Sequence, residues 1–479
     1  MHLSPAISRY VNDARVWIVF FFLLRLVHIT QPPLEVVHNW RQCTVAMAAR
    51  NFCETDNNIL MPRLDIGGSG SGVEAMEFPL LNYAIYIVAR VFGYDHWYGR
   101  LLVLLVSSVA MWYFYKILRL RYSEKMALYA MLLLQCSLWL MYMRKMMPDT
   151  WSVSLIIIGM YCGLRYLTDV DAGQDKTLNR KGLLRLGLFA VLVCAGLLSK
   201  ISSVPICAIA VVPLVKATGL RKVFFAIATL IALGPVMWWY FLWVPWLTAV
   251  HGTGHFFMGV PMAEGAAQVL HDWKLLLGFF YFSAMKYVGF GVFVMGAAMV
   301  FYKKEKVLMT TALAALVLLA LVLMRGGGAV LRHDYYIIPY VPVMAAVAAY
   351  GLSSLRHRWF ATLLLAAVMV EGVLNQLHDL RIKPGEAQML QLEAVMDKLG
   401  ARSDLIAINS PYSPTPMYWA HRKGWLCSND QLMNFREVYQ MAERGLRYIV
   451  IMKNAYDGDC QLVLKPMYED ELVRVYAVK

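Results

Sequence analysis

Long hydrophobic runs separated by short polar segments occupy the first 376 residues of the chain. A helix that crosses a bilayer needs about 20 mostly apolar residues, and shorter runs suffice where protein shelters the helix. We count about eleven runs by this criterion, and they lie near residues 16–30, 99–118, 126–143, 150–167, 185–199, 202–217, 223–243, 280–302, 307–324, 336–353 and 359–376. The pattern predicts a polytopic α-helical membrane protein, in which "SKISSVP" (199–205) breaks one stretch into two short helices.

Basic residues indicate how these helices are oriented. Clustered Lys and Arg occupy alternate loops, namely 116–125, 165–185, 216–222, 303–306 and 356–358. Cytoplasmic loops of membrane proteins carry such clusters. The N-terminus is therefore predicted to lie inside, and an odd number of spans places the C-terminus outside. The long polar segment 31–98 then becomes an extracytoplasmic loop.

The pattern changes after about residue 377. "GEAQMLQLEAVMDKLG" (385–400) has helical apolar spacing, whereas "DLIAINS" (404–410) and "LRYIVIMK" (446–453) have the short apolar runs of buried strands. We therefore predict a transmembrane catalytic domain over 1–376, which includes the first outer loop 31–98, and a small extracytoplasmic α/β domain over 377–479.

Composition agrees with a membrane protein and limits the partners. Hydrophobic residues make up 59% of the chain and charged residues 16%, which is too apolar for an ordinary soluble protein. The net charge of +14 does not indicate nucleic acid, because basic loops also bind anionic membrane lipid. Cys427 and Cys460 are candidates for a disulfide in the outer domain, although sequence alone does not fix their pairing.

Several charged residues lie at the predicted outer ends of helices, against the trend that places Lys and Arg inside. Ionisable groups at a membrane boundary are costly unless they are paired or hydrated. Each one alone fits a hydrated loop residue or a snorkelling side chain. Together they suit an anionic, lipid-linked substrate, because guanidinium and ammonium groups bind phosphate while a carboxylate or His accepts a proton.

The order of these segments resembles the GT-C glycosyltransferases, particularly protein O-mannosyltransferase relatives and the aminoarabinose transferase family. The resemblance spans about residues 16–376. The segments that carry it are "HNWRQCTVAMAARNF" (38–52), "PRLD" (62–65), "EFPLLNY" (77–83), "RKMMPD" (144–149) and "RHDYYIIP" (332–339). Each is a weak pattern alone, but their order on one side of the membrane is specific.

The resemblance implies a general base just after the first helix, where those families carry an Asp-Glu pair followed by Arg. Arg41 matches that Arg, but His38 and Asn39 replace the acidic pair. His38, Glu35 and Asp65 all remain candidates for the base, and His38 equally fits a role of hydrogen-bonding the loop.

Other positions match further features of these families. Glu77 corresponds to a glutamate that can hold a divalent metal, and it also fits a carboxylate at a helix N-terminus. Arg144 and Asp149 correspond to an active-site pair, although a local ion pair would show the same spacing. The candidate residues are, for catalysis, His38, Asp65, Glu77 and Asp149; for the donor phosphate, Arg41, Arg63, Arg144, Lys200 and Arg332; and elsewhere in the site, Glu35, Glu74 and His333.

The sequence thus predicts an integral glycosyltransferase of the plasma or inner membrane with an extracytoplasmic active site. It would move a monosaccharide from a polyprenyl-phosphate donor to a hydroxyl of a glycan, lipid or protein acceptor, with inversion. The sequence indicates no definite cofactor, and a divalent metal is the one candidate. Two alternatives without catalysis are a transporter or flippase for lipid-linked sugars, whose repeated halves we do not find, and an envelope assembly factor.

Overall fold

The computed structural model describes residues 10–168, 179–217, 219–252, 254 and 259–478. It divides into two compact units. The helical unit comprises Met1–Ile29, Arg100–Trp243 and Phe257–Leu377, and the sheet unit comprises Thr30–Gly99, Val244–Phe256 and His378–Lys479. The domain limits inferred from the sequence, 1–376 and 377–479, stay predictions. Part of the basic loop expected at 165–185 lies outside the described residues.

Helices of several kinds make up the helical unit. Its α-helices are Ala14–Leu26, Trp97–Arg119, Glu124–Cys136, Trp139–Tyr142, Pro148–Thr168, Arg180–Ser199, Val211–Lys216, Gly219–Trp238, Met262–His271, Trp273–Gly278, Lys286–Tyr302, Lys306–Gly326, Val341–Ser354 and Arg358–Leu374. The 3-10 helices are Ile201–Ala210, Gly327–Arg332 and Asp334–Ile337, and the π-helices are Trp239–Trp243 and Phe279–Ala284.

Six helices among the described residues are long and apolar enough to cross a membrane. A seventh span results if the pair Trp273–Ala284 and Lys286–Tyr302, which is bent by 102°, counts as one. The remaining predicted runs also form helices, but shorter ones, such as Ala14–Leu26 with 13 residues. An integral membrane protein is confirmed, whereas the expected count of eleven spans is not established.

The predicted break at "SKISSVP" is confirmed. The helix Arg180–Ser199 ends at Lys200, whose backbone is extended, and the chain continues as a 3-10 helix that contains Pro205. Proline removes a backbone donor and clashes with the preceding turn, which explains why a regular helix does not pass through this segment. The break leaves the side chain of Lys200 at the end of a helix.

The described residues of the sheet unit form five strands and several short helices. The strands are β1 (Leu405–Ile408), β2 (Gly424–Leu426), β3 (Leu446–Met452), β4 (Tyr468–Glu469) and β5 (Val473–Ala477), in the order β2-β1-β3-β5-β4. β1 is parallel to β2 and β3, and β5 is antiparallel to β3 and β4. The helices are Asn39–Glu54, Leu80–Phe92, Val244–His251, Leu377–Leu380, Pro384–Ala387, Gln388–Gln391, Leu392–Leu399, Thr415–Ala420, Asn429–Met433 and Phe435–Glu443.

The two strands predicted from apolar runs, β1 and β3, form the centre of this sheet. Ile406, Ile408 and Val450 are fully buried, as expected for parallel strands covered on both faces. The small C-terminal α/β fold is therefore confirmed. The pairing of Cys427 with Cys460, which the sequence left open, does not occur in this structure, where both cysteines are free and buried.

A glycine-rich loop from the first polar segment pairs with the edge strand β2. The Gly68 amide donates to the Gly424 carbonyl at 2.7 Å, and the Gly424 amide donates to the Asp65 carbonyl at 2.9 Å. Gly68 has φ +59°, and a Cβ there would lie 2.3 Å from the Trp425 indole nitrogen, so a side chain is excluded. This pairing covers an otherwise open sheet edge and fixes the backbone of Asp65.

Candidate active site

Asp149 and Lys200 form a buried ion pair in the helical unit. Asp149 lies in the first turn of the helix Pro148–Thr168, and Lys200 immediately follows the helix Arg180–Ser199. Their side chains are 1% and 11% exposed, and the Lys200 ammonium contacts Oδ1 of Asp149. Lys200 is therefore the counterion of Asp149 at a helix N-terminus, a position where carboxylates are favoured.

Aromatic rings line the other side of Lys200. Its ammonium lies 4.3 Å from the centroid of the Tyr335 ring and 5.2 Å from that of Tyr336. His333 stacks on Tyr335 with centroids 5.0 Å apart. A cation over aromatic faces is stabilised without being neutralised, so Lys200 keeps its capacity to donate to an anion.

Asp149 has one carboxylate oxygen in use and one available. Oδ1 contacts Lys200, whereas Oδ2 is buried and accepts no hydrogen bond from a described residue. A buried polar atom without a partner is unfavourable, so such an atom commonly marks a place where a substrate group or water binds. Nearby, the Tyr142 hydroxyl donates to Oδ1 of Asp334 at 2.7 Å, which gives this cluster a second acid that is partly buried.

Two other predicted phosphate ligands of this unit have different surroundings. Arg144 is 1% exposed, and its guanidinium donates to the backbone carbonyls of Arg25 and Val27 at 3.1 and 3.0 Å. These bonds satisfy carbonyls at the end of the first helix, which is a structural task. Arg332 is exposed and forms no hydrogen bond or ion pair with a described residue. Their roles toward a donor stay predictions.

Arg41 and Glu77 form a second ion pair, which lies in the sheet unit. Their side chains are 6% and 13% exposed, and the guanidinium contacts Oε1 of Glu77. His38 precedes the helix Asn39–Glu54 with φ 58°, a left-handed conformation that is uncommon for residues other than glycine. The predicted match of Arg41 to a phosphate ligand and of Glu77 to a metal ligand is untested, but each has the other as counterion.

Asp65 is held on both carboxylate oxygens. Arg50 donates to Oδ2 at 3.0 Å and Asn51 donates to Oδ1 at 2.9 Å. Arg50 itself donates to the Tyr418 carbonyl at 3.0 Å and lies 4.4 Å from the centroid of that ring. Both carboxylate oxygens of Asp65 are therefore occupied by side chains of the protein.

The remaining predicted residues of the sheet unit are spread over several places. Arg63 pairs with Asp56 at 3.0 Å and donates to the Ser71 carbonyl at 2.7 Å. Glu35 is fully buried and forms a β-bridge with Ile382, and Glu74 is 1% exposed. The burial of Glu35 and Glu74 shows that both residues contribute to the packing of the unit.

The sequence identified Asp149 and Lys200 separately but missed the groups that complete their surroundings. Tyr335 and Tyr336 were recognised only as part of "RHDYYIIP", and Tyr142 was not considered. The signal that could have found them is the pair of tyrosines next to His333 at a helix end. In the sheet unit, Arg50 lies within the quoted segment 38–52, but the sequence did not identify it as the partner of Asp65.

The sequence did not decide whether a divalent metal binds. The side chains that could ligate such a metal are His, Cys, Asp and Glu. Within the described residues, no three His, Cys, Asp or Glu side chains come together in a way that could hold a metal ion. Glu77, the residue that the resemblance assigned to a metal, already pairs with Arg41. Metal dependence therefore stays a prediction to be tested, and no chemical step below uses a metal.

Comparison with known proteins supports the fold and the class of enzyme. Residues 76–241 match the family model of dolichyl-phosphate-mannose-protein mannosyltransferases. None of the curated proteins matches the chain by sequence.

Solved structures agree over nearly the whole chain. ArnT from Cupriavidus metallidurans in the apo state has a TM-score of 0.64 at 12% identity, covering 97% of this chain and 98% of that one. The same protein bound to undecaprenyl phosphate has a TM-score of 0.60 at 12% identity, with the same coverage. The Archaeoglobus fulgidus oligosaccharyltransferase in the apo form has a TM-score of 0.55 at 12% identity, covering 91% of this chain and 69% of that one. The predicted resemblance to GT-C glycosyltransferases is confirmed at the level of the fold, and the match of residues 76–241 to a mannosyltransferase family model supports the prediction of a glycosyltransferase.

Proposed function

We propose that the protein transfers a monosaccharide from a polyprenyl-phosphate donor to an acceptor hydroxyl, with inversion at the anomeric carbon. The observation that carries this proposal is the buried pair of Lys200 and Asp149. It offers a cation for the donor phosphate and a carboxylate oxygen that no described residue occupies. ArnT, which shares the fold, has been crystallised with undecaprenyl phosphate, a lipid of the type that such a donor would release.

The chemical step requires little beyond charge stabilisation and a proton acceptor. The acceptor oxygen attacks the anomeric carbon while the bond from that carbon to the phosphate oxygen breaks. The electron pair of this bond leaves with polyprenyl phosphate, which gains a negative charge. Lys200 stabilises that charge, because a preorganised cation in a water-poor site acts most strongly where charge develops.

The proton of the acceptor hydroxyl goes to a carboxylate. Asp149 is the best candidate, because its Oδ2 has no hydrogen-bond donor among the described residues, whereas both oxygens of Asp65 are occupied. Glu77 likewise uses one oxygen, Oε1, in its ion pair with Arg41, so it is the rival candidate that the variants below compare with Asp149. His38 is retained as a supporting residue that orients a carboxylate or the acceptor.

We further propose that the sheet unit is extracytoplasmic, as the basic loops of the sequence indicate. An accessible tag at Lys465 should then be labelled in intact cells, and one at Lys304 only after permeabilisation. Both residues are exposed, so labelling reports orientation rather than burial. The opposite result would reverse the assignment of the compartment.

The function is tested by incubating the purified protein with polyprenyl-phosphate sugars and measuring the release of polyprenyl phosphate. A panel of donors and acceptors, with and without a chelator, would identify the sugar, the acceptor and any need for a metal. Release that depends on an acceptor is expected for a transferase. Movement of the lipid-linked sugar across vesicles without release would instead support a flippase, and no release from any donor would contradict the proposal.

A further inference from the structure

A polar pocket of about 270 Å³ lies entirely within the sheet unit. The helix Asn39–Glu54 and the loop that follows it form one side, and residues 402–405 and 421–423 form the other. Its charged lining consists of five Lys or Arg side chains and two carboxylates, namely Arg50, Arg63, Arg402, Arg422, Lys423, Glu54 and Asp65. None of these pocket residues takes part in the proposed chemical step.

The four arginines already have carboxylate partners. Arg50 pairs with Asp65 at 3.0 Å, and Arg63 pairs with Asp56 at 3.0 Å. Arg402 and Arg422 share Asp397, at 3.3 and 2.8 Å, and Arg402 also pairs with Glu393 at 2.7 Å. These pairs fix the guanidinium groups and largely neutralise them.

Lys423 is the exception among these cations. It is partly buried, and its ammonium donates to the Gly70 carbonyl but forms no ion pair with a described residue. Burial lowers the pKa of Lys423 below its ordinary value of 10.5. Asp65 attracts Lys423 without forming an ion pair with it and is itself paired with Arg50, so the pocket keeps positive charge that an entering anion would neutralise.

We propose that this pocket binds one anionic group of the glycosyl acceptor, a phosphate monoester or a sugar carboxylate, with Lys423 as its counterion. Ser71 and Asn51 also line the pocket and provide polar groups beside the charge. The volume suits one substituted sugar or phosphate group rather than a whole lipid. That the anionic group belongs to a glycosyl acceptor rests on the proposed glycosyltransferase function, whereas the binding of an anion in this pocket does not.

The test follows the reactivity of Lys423 in the purified full-length protein. A water-soluble acetylating reagent modifies lysines at rates that mass spectrometry resolves site by site. Inorganic phosphate, glucuronic acid and neutral glucose are compared as probes. Either anion should slow acetylation of Lys423 severalfold, because it covers the amine and favours its protonated form, while glucose should have no effect.

The exposed Lys465 is the matched control, and its rate should not change. Slowing by phosphate alone identifies a phosphate site, and slowing by glucuronic acid alone identifies a carboxylate site. Lys423→Ala should weaken binding of the effective anion about tenfold, whereas Lys423→Arg should retain most of it. Lys200→Ala should leave protection of Lys423 intact, which separates this pocket from the donor site.

The proposal is overturned if neither anion slows acetylation of Lys423, or if Lys465 slows to the same extent. It is also overturned if Lys423→Ala binds the anion as well as the unaltered protein does. None of these measurements needs a sugar donor or turnover. Failure of the glycosyltransferase assay would therefore not affect them, and their failure would leave the proposed transfer reaction standing.

Discussion

Each unit contains a buried ion pair between an aspartate and a basic residue. The two pairs differ in which of their atoms remain available to a substrate. Asp149 and Lys200 in the helical unit, like Asp65 and Arg50 in the sheet unit, are nearly excluded from solvent. Asp65 accepts hydrogen bonds on both oxygens, and Arg50 is further held by the carbonyl and ring of Tyr418. Asp149 keeps one oxygen without a hydrogen-bond donor among the described residues, and Lys200 lies over the rings of Tyr335 and Tyr336.

This difference distinguishes a pair that is suited to catalysis from a pair that stabilises the fold. Arginine presents a rigid fork that matches a carboxylate and holds it in place, whereas lysine is a compact charge on a flexible stem that can change partner. A pair with all its atoms satisfied has nothing left to offer a substrate. A pair with an open acceptor and a cation on a flexible side chain can bind phosphate and accept a proton, which is why we place the reaction at Asp149 and Lys200.

The largest effect is expected from Asp149→Asn. The amide has the same shape but accepts a proton poorly, so turnover at saturating donor should fall about 10²- to 10⁴-fold. The KM for the donor should change much less, because Lys200 remains. Steady-state release of polyprenyl phosphate measures both quantities.

The corresponding changes in the sheet unit sharpen this comparison. Asp65→Asn, His38→Gln and Glu77→Gln should each reduce turnover, per folded molecule, far less than Asp149→Asn does. If Asp65→Asn or Glu77→Gln causes the larger loss, the general base lies in the first loop and Asp149 has only a supporting role. Should all four variants keep near-normal turnover, neither pair carries the chemistry.

Stability should show the opposite ranking. Removing one partner of a buried ion pair leaves an uncompensated charge, and Arg50→Ala should lower the free energy of unfolding by about 3 kcal/mol or more. Arg63→Ala is the control, because its partner Asp56 is 35% exposed and such pairs contribute about 0–1 kcal/mol. Unfolding of the purified protein in detergent, followed by tryptophan fluorescence, measures both. Equal effects would mean that the Arg50 pair is not structural.

A smaller effect concerns the donor. Lys200→Ala should weaken donor binding about tenfold or more, since a charge-assisted hydrogen bond contributes about 1.5–3 kcal/mol. Arg332→Ala tests the second cation of this region, which is exposed and has no partner among the described residues. Direct binding of a polyprenyl-phosphate sugar would be measured for both. If both variants bind like the unaltered protein, these residues have no role in holding the phosphate.

The fold was more predictable than the site, for physical reasons. Apolar runs predicted every helix of the helical unit that satisfies the length of a span, as well as β1 and β3, because burial in lipid or in a sheet requires them. Hydropathy does not show where helices end or bend, so it did not fix the number of membrane spans. The sequence also identified Asp149 and Lys200, because charged residues are costly at the ends of membrane helices. Their pairing across 51 positions, like that of Asp65 with Arg50, depends on tertiary structure.

The smallest expected effect is an acid sensitivity of the sheet unit. Burial alone would raise the pKa of Glu54, but the hydrogen bond and charge of His421, with nearby arginines, lower it below the ordinary 4.5. A carboxyl group whose pKa is lower in the folded state adds stability above its unfolded pKa, and this stability is lost as the pH falls through the folded value. Amides of β1 and β3 should therefore exchange faster as the pH drops below about 4.5, after correction for the intrinsic exchange rate. Glu54→Gln should flatten this dependence slightly, whereas an unchanged profile would show that the Glu54–His421 contact contributes nothing to the stability of the unit.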